Sequence, residues 1–533
     1  MNRAFVVTYI LALILLGLGH LAMLPPYEGF DETAHFASLR EIADTGTLPS
    51  EGRSFMPQDV AAYSGPLPYS SLAPPFDAGL TYAKFFADPP SEESFIQAYR
   101  TAQPQPPYAP SLVENWEAQH PPLYYVLLAT ILKITGGFPF VTEMLILRMT
   151  SFLLAIGGVG LALTAVQAHN SQTPVASTML GFALYPLMLP MFFPEFARLG
   201  NDSLCLLFVG ASAFCLVRAL RPDGNAKWFV TLGFCLALGL LTKALFVPVT
   251  LAVILFLAVR AWIGRNKQQP QIRGLILLLL PVLVLGGGWY LHHAIVVGEI
   301  SGGTDAALLA RQGGLWAGLQ HNFSGSAMVR AVVTVIATRV WSGTWSFVHI
   351  APLLQVPLML LLIWTGWTYA MQLRVRRLDD LAWLPVFLLA FFGAGLFWHI
   401  LVGIALTGGG ITGGYYLHIL MPWIAPSLGL GAAAIIRQQR QRIVLFALLT
   451  YAAAFQVVTL WSQFALFTGC ARKSDDKLYE FTGSMFCLDQ APELVARLGV
   501  IAWPTLAAVC FAGGVLSALW LTRFLARERK VIG

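Results

Sequence analysis

The feature that most constrains this chain is a recurring apolar run of about 20 residues, the length a helix needs to cross roughly 30 Å of hydrocarbon. Twelve such segments can be marked: 4–24, 146–167, 174–194, 203–219, 228–242, 244–263, 274–293, 352–371, 381–401, 416–436, 443–461 and 498–522. Lipid offers no hydrogen bonds to an open backbone, so segments like these fold as helices or not at all. Composition agrees. The chain is 57% hydrophobic and 11% charged, where a soluble domain carries about 25% charged residues. The expected fold class is therefore all-α: a polytopic membrane protein of about 12 transmembrane helices, with a large outer-face loop layer containing interfacial helices.

Charge decides the orientation. With the N-terminus inside, the inner segments hold 18 of the 33 Lys and Arg residues and four of the 27 acids. Every basic cluster of three or more at a span end then lies inside, as the positive-inside rule requires. The net charge of +6 is thus sorted by topology. No basic run or RNA-binding signature lies outside short loops, so nucleic acid is not an expected partner. Residues 4–24 read as an uncleaved signal anchor, being longer than the apolar core of a cleaved signal. The expected setting is a bacterial inner membrane, with both termini cytoplasmic and the outer layer periplasmic.

This reading divides the chain into seven parts: 1–24, the first span; 25–145, a large periplasmic loop; 146–293, spans two to seven; 294–351, a second loop; 352–461, spans eight to eleven; 462–497, a third loop; and 498–533, the last span with a basic tail. The first loop holds 17 of the 32 prolines and is too long for a passive connector. Within it, Pro121–Gly136 is apolar but short and carries Lys133, so a helix lying along the interface is expected. In the second loop, Leu308–Leu319 and Met328–Trp341 are expected short amphipathic helices. The third contains Cys470 and Cys487, a disulfide candidate closing an 18-residue loop, worth about 3 kcal/mol in the chain-entropy model. No C-x-x-C occurs among the six cysteines.

Ionisable groups in membrane spans are costly and mark function. Here they gather at the outer span ends. Asp31, Glu32 and His35 follow the first span directly. Two adjacent carboxylates and a histidine at a membrane border suit a general base whose pKa is raised by desolvation; acids at a helix start also simply favour the helix dipole. His120 precedes Pro121-Pro122 at the start of the interfacial helix, where proline is ordinary initiation. Arg198, Asn201 and Asp202 form a polar turn able to hold a phosphate or merely to turn the chain. Lys243 sits between two spans. Arg339 suits a phosphate clamp or an interface anchor. Tyr415 and His418 enter the span that contains Pro422. Gly408–Gly413 satisfies G-x-G-x-x-G, but it lies in a loop between membrane helices and not after a strand, so no dinucleotide site is read there. Most of the first loop's aromatic residues, among them Tyr63, Tyr69, Tyr82, Tyr99, Tyr108 and Trp116, are expected to pack a small periplasmic layer, with sugar stacking as the other reading.

Taken together, Asp31-Glu32-x-x-His35-Phe36, His120-Pro121-Pro122-Leu123-Tyr124-Tyr125 and the Asn201-Asp202 turn resemble the GT-C glycosyltransferases, which include the protein O-mannosyltransferases and the aminoarabinose transferases of lipid A. The first element looks like the mannosyltransferases' D-E-A-H-F with one residue inserted, the second like their H/K-P-P-L. Trp341-Ser342-Gly343 and Gly414-Tyr415-Tyr416-Leu417 look closer still to a family of predicted bacterial membrane proteins, known only as uncharacterised, that carry F-W-G and G-R-Y-L there. Tyr415 replaces that arginine.

The resemblance implies a polyprenyl-phosphate sugar as donor, a glycan, lipid or protein hydroxyl as acceptor, and transfer at the outer face of the bilayer. It implies Asp31 as general base and Glu32 as the group that orients either Asp31 or the acceptor, with inversion at the anomeric carbon. Arg198, Lys243, Arg339 and His120 are the implied phosphate-holding groups, with His35, Asn201, Asp202, Tyr415 and His418 lining the substrate site. No cofactor is required on this reading, and a divalent metal beside the acidic pair is left open. Two rivals stand beside it: a polymerase or ligase of surface polysaccharide, and a non-enzymatic flippase or scaffold. The bare middle of the spans counts against a flippase.

Overall fold

The computed structural model describes residues 3–527 except 68–75, 77–78, 104–105, 170–174, 264–268, 297, 299–302, 339–343, 347–351, 376–379, 410–411, 437–440, 474–480 and 483–486. Helices cover most of every expected span. Nine helices among the described residues are long and apolar enough to cross a membrane, the first being Arg3–Met23 and the last Pro504–Leu521. The other three expected segments are also helical, at Val175–Met188, Ala226–Leu240 and Gln441–Phe467. The first two have only 14 and 15 residues, so the expected count of twelve is not reached on length. Among the described residues, strands are confined to three short two-stranded pairs.

Tight helix packing relies on small residues, because apolar surface alone does not drive helices together in lipid. A Cβ on Gly181 would lie 1.8 Å from the Ala425 carbonyl oxygen, and one on Gly429 would lie 2.0 Å from that of Ser177. Helices Val175–Met188 and Met421–Ile436 therefore touch backbone to backbone. Gly158 and Gly210 do the same for Phe140–Ala168 against Asp202–Leu220. The outward faces stay apolar: Ile276, Leu280 and Leu283 are more than half exposed on one helical stripe, as a lipid environment permits.

One break positions two charged residues. The expected span 174–194 stops at Met188 and resumes as Phe192–Ala197. Pro190 has no N–H to give the Pro186 carbonyl, which ends the helix there. Gln456 Nε2 donates instead to the carbonyls of Pro186 and Leu187, at 3.1 and 3.0 Å. The chain then turns and delivers Glu195 and Arg198 to the end of the bundle. The second loop also departs from expectation. Its helices are Gly303–Arg311, Leu315–Asn322 and Gly325–Ala337, because Gly313 and Gly314 take φ of 84° and 94° and interrupt the first expected helix. The helix Phe140–Ala168 begins six residues before the expected span at 146. The short apolar helix after Pro121-Pro122 runs Leu123–Thr135.

The first loop folds over this same end as a small aromatic core. Tyr63 meets Tyr27 at 5.0 Å and Tyr99 at 5.2 Å between ring centroids, and Phe95 meets Tyr99 at 4.8 Å. Tyr82 packs on Phe467 and Tyr108 bonds the Phe55 backbone. These residues pack, as expected; Tyr69 lies outside the described residues. Cys470 and Cys487 form the expected disulfide, with Cα atoms 6.4 Å apart.

Candidate active site

Asp31 and Glu32 are neighbours in sequence with opposite fates. Glu32 is fully buried. Both of its oxygens accept from Arg148, at 2.7 Å from Nε and 2.5 Å from Nη2, and the Leu199 N–H adds a bond at 3.0 Å. Arg148 also donates to the carbonyls of Leu24 and Pro25, at 2.6 and 2.7 Å. Glu32 is thereby tied to the end of the first helix, with its lone pairs occupied.

Asp31 is half-buried and keeps accessible surface. It opens helix Glu32–Thr45 in the left-handed region, φ 57°, and its carboxylate makes no capping bond to that helix. The ordinary reading of an acid at a helix start, a cap on the first turn, is not what this side chain does. Its Oδ1 accepts instead from Trp116 Nε1 at 3.0 Å. Burial, reinforced by the negative charge of Glu117 and opposed by Arg198, raises the Asp31 carboxyl to about 6. A carboxylate with that pKa is largely ionised at pH 7 and still basic enough to accept a proton.

Around Asp31 stand two further polar groups. In the first, Glu117 Oε2 accepts from His120 Nε2 at 2.9 Å and lies 3.5 Å from His35 Nδ1. Burial works against the ionised Glu117, but His120 and Lys243 outweigh it and hold the carboxyl far below its usual range. Burial pushes His35 down to about 3, so its ring is neutral; Nδ1 lies 2.9 Å from the Tyr125 hydroxyl. His120 retains partial exposure.

The second group is the turn after Phe192–Ala197. Arg198 Nη2 donates to Glu195 at 2.6 Å and to Asp202 at 3.2 Å, and Nη1 donates to the Phe30 carbonyl at 2.7 Å. Lys243 Nζ reaches the same Asp202 oxygen at 2.8 Å. Two cations thus share one carboxylate. Burial, helped by Asp202 and opposed by Arg198, raises Glu195 to about 8, so it is mostly neutral at pH 7 and the group carries a net positive charge. Arg198 Nε has no partner among the described residues. The Tyr124 hydroxyl receives the Gly200 N–H at 2.9 Å, fixing the turn to the short apolar helix.

Tyr415 stacks face to face on Phe30, centroids 5.4 Å apart and planes at 7°, with Trp345 edge-on to Phe30 at 5.5 Å. Tyr416 takes the Lys243 ammonium 5.1 Å from its ring centroid. The Tyr415 position, where an arginine stands in the resembled pattern, is here an aromatic wall. His418 is buried, 3.2 Å from the Tyr185 hydroxyl.

The structure thus gathers Asp31, Glu32, His35, His120, Arg198, Asn201, Asp202, Lys243 and Tyr415 at one end of the bundle, with His418 one turn deeper. Arg339 lies outside the described residues, as does Trp341-Ser342-Gly343. Four residues that the structure places here were not among the site candidates read from the sequence: Glu117, Glu28, Arg148 and Trp116, the last read only as a packing or sugar-stacking aromatic. Glu28 accepts from Tyr82 at 2.5 Å and from the Ser346 N–H at 2.7 Å, clasping the second loop to the first. Its place three residues before Asp31 is the one signal that pointed to it. Among the described residues, no three His, Cys, Asp or Glu side chains are arranged to hold a metal ion.

No curated protein matches this chain. Among solved structures, ArnT from Cupriavidus metallidurans bound to undecaprenyl phosphate is similar at 13% identity and a TM-score of 0.49. The alignment covers 98% of this chain and 78% of that one. The apo form of the same protein gives 12% identity and 0.46 over the same shares. Residues 13–408 match the family described as "Predicted membrane protein (DUF2142)", in line with the resemblance read from the later motifs. Across most of its length, and through every polar group of the site except Tyr415, Tyr416 and His418, the chain belongs to the DUF2142 family of membrane proteins.

Proposed function

We propose that this protein is a membrane glycosyltransferase that moves a sugar from a polyprenyl-phosphate donor to an acceptor hydroxyl, at the periplasmic face of a bacterial inner membrane. The observation that carries this reading is the pairing of one accessible, basic carboxylate, Asp31, with two cations, Arg198 and Lys243, that share Asp202. Group transfer from a phosphate needs both: a base for the incoming hydroxyl and positive charge for the departing phosphate.

In the proposed step, the acceptor oxygen attacks the anomeric carbon as Asp31 takes its proton. The bond from that carbon to the phosphate oxygen breaks, and polyprenyl phosphate leaves with the electron pair. Attack in line with departure inverts the anomeric centre. Arg198, through its unpaired Nε–H, and Lys243 stabilise the charge that grows on the phosphate. Glu32 orients the Asp31 backbone from behind and touches no reactant. His120, steadied by Glu117 and partly exposed, is a further hydrogen-bond partner for the substrate. No cofactor is assigned.

The test is made on protein purified in detergent with a panel of polyprenyl-phosphate sugars and candidate acceptors. Release of polyprenyl phosphate by the wild type, abolished in a folded Asp31→Asn variant, is the expected result. Turnover that survives this substitution would remove Asp31 from the mechanism. It would then favour a ligase that depends on outer-loop arginines.

A further inference from the structure

We infer that Trp116 is a positioning residue for the general base: its indole N–H holds one oxygen of Asp31 and leaves the other to face the acceptor. The inference rests on the proposed function and deepens it.

Three observations converge. An aspartate at a helix start ordinarily spends its side chain on the first-turn amides, yet Asp31 makes no such bond and its carboxylate is turned to Trp116, 3.0 Å from Nε1. The indole is itself held. Its ring packs against Ala34, Ala37 and Met56, on the face of the helix that Asp31 opens. The backbone on either side is pinned as well. Asn115 Nδ2 donates to Ser38 Oγ at 2.9 Å, and Asn115 Oδ1 receives the Glu117 N–H at 3.0 Å. A tryptophan N–H is a donor only, so it binds a lone pair of the ionised carboxylate and never competes for the acceptor's proton. Both partners are half-buried and keep accessible surface.

For a base, this contact has two effects. The donor favours the ionised form, lowering the pKa that burial raises. It also removes one carboxylate rotation, so the free oxygen meets the acceptor in a single orientation. Phenylalanine at this position would keep the ring packing and lose both.

The experiment is the pH–rate profile of Trp116→Phe beside wild type, Trp116→His and Asp31→Asn. Trp116→Phe is expected to lower kcat by roughly 10- to 100-fold, the worth of a hydrogen bond to a charged group, with KM within about twofold. Its acid limb is expected to move upward from about pH 6. Trp116→His, which retains an N–H, is expected to recover part of both. Should Trp116→Phe fail to fold, Asn115→Ala loosens the same segment without touching the indole and is read by the same shift of the limb. An unchanged limb and unchanged kcat in the folded variant would overturn the positioning role. If Asp31→Asn is inactive in that experiment, the proposed function survives; if Asp31→Asn is active, the failure lies with the function itself.

Discussion

Replacing Arg148 by alanine should unfold the protein more readily, while replacing Asp31 by asparagine should leave stability alone and stop turnover. Arg148 makes four short contacts, two to Glu32 and one each to the carbonyls of Leu24 and Pro25. Both side chains are essentially inaccessible, at 3% and 0% exposure. Removing one member of such a pair strands the other charge, at about 3–5 kcal/mol. The Leu199 N–H recovers only part of this for Glu32. The expected fall in unfolding midpoint for a chain of 533 residues, followed in detergent by size-exclusion loss after heating, is on the order of 3–5 °C. The double variant Arg148→Ala, Glu32→Ala removes both charges and should be more stable than Arg148→Ala alone. An Arg148→Ala protein that melts with the wild type would refute the assignment of this pair to structure. So would a double variant no better than the single.

Activity should rise with pH through about 6 as Asp31 ionises, and kinetics in a series of buffers at constant ionic strength would display that limb. Glu195, raised to about 8 chiefly by burial, contributes stability that is complete below about pH 4.5 and lost as pH climbs through 8. Thermal scans between about pH 4.5 and 8 should show that loss in the wild type and much less of it in Glu195→Gln. Opening the Cys470–Cys487 bond by a double serine substitution should cost about 3 kcal/mol, seen as earlier unfolding under non-reducing conditions. Dialysis against a chelator is expected to leave turnover intact.

Much of the architecture was legible in the residues, because apolar runs of this length admit one backbone solution in lipid. The charge sorting and the D-E-x-x-H and H-P-P-L elements likewise marked the end of the bundle where the site lies. Less legible were events set by a single residue at a distance. Pro190 cuts a run that reads as continuous, and the carbonyls it exposes are met by Gln456, some 270 positions away. Gly313 and Gly314 divide an amphipathic stretch whose periodicity reads as one helix.

The roles of Asp31 and Glu32 mark that division most clearly. By itself, the sequence determined that two acids stand at the membrane border just past the first span, where desolvation favours the neutral form of a carboxyl. Which of them is available to a substrate was decided only by the tertiary structure. Adjacent positions at a helix start point to different sides. One meets Arg148, 116 positions away on another membrane helix, and is silenced; the other meets Trp116, 85 positions away in the loop, and stays accessible. Partners at such separations leave no trace in local spacing, because they are brought together by helix packing and loop closure.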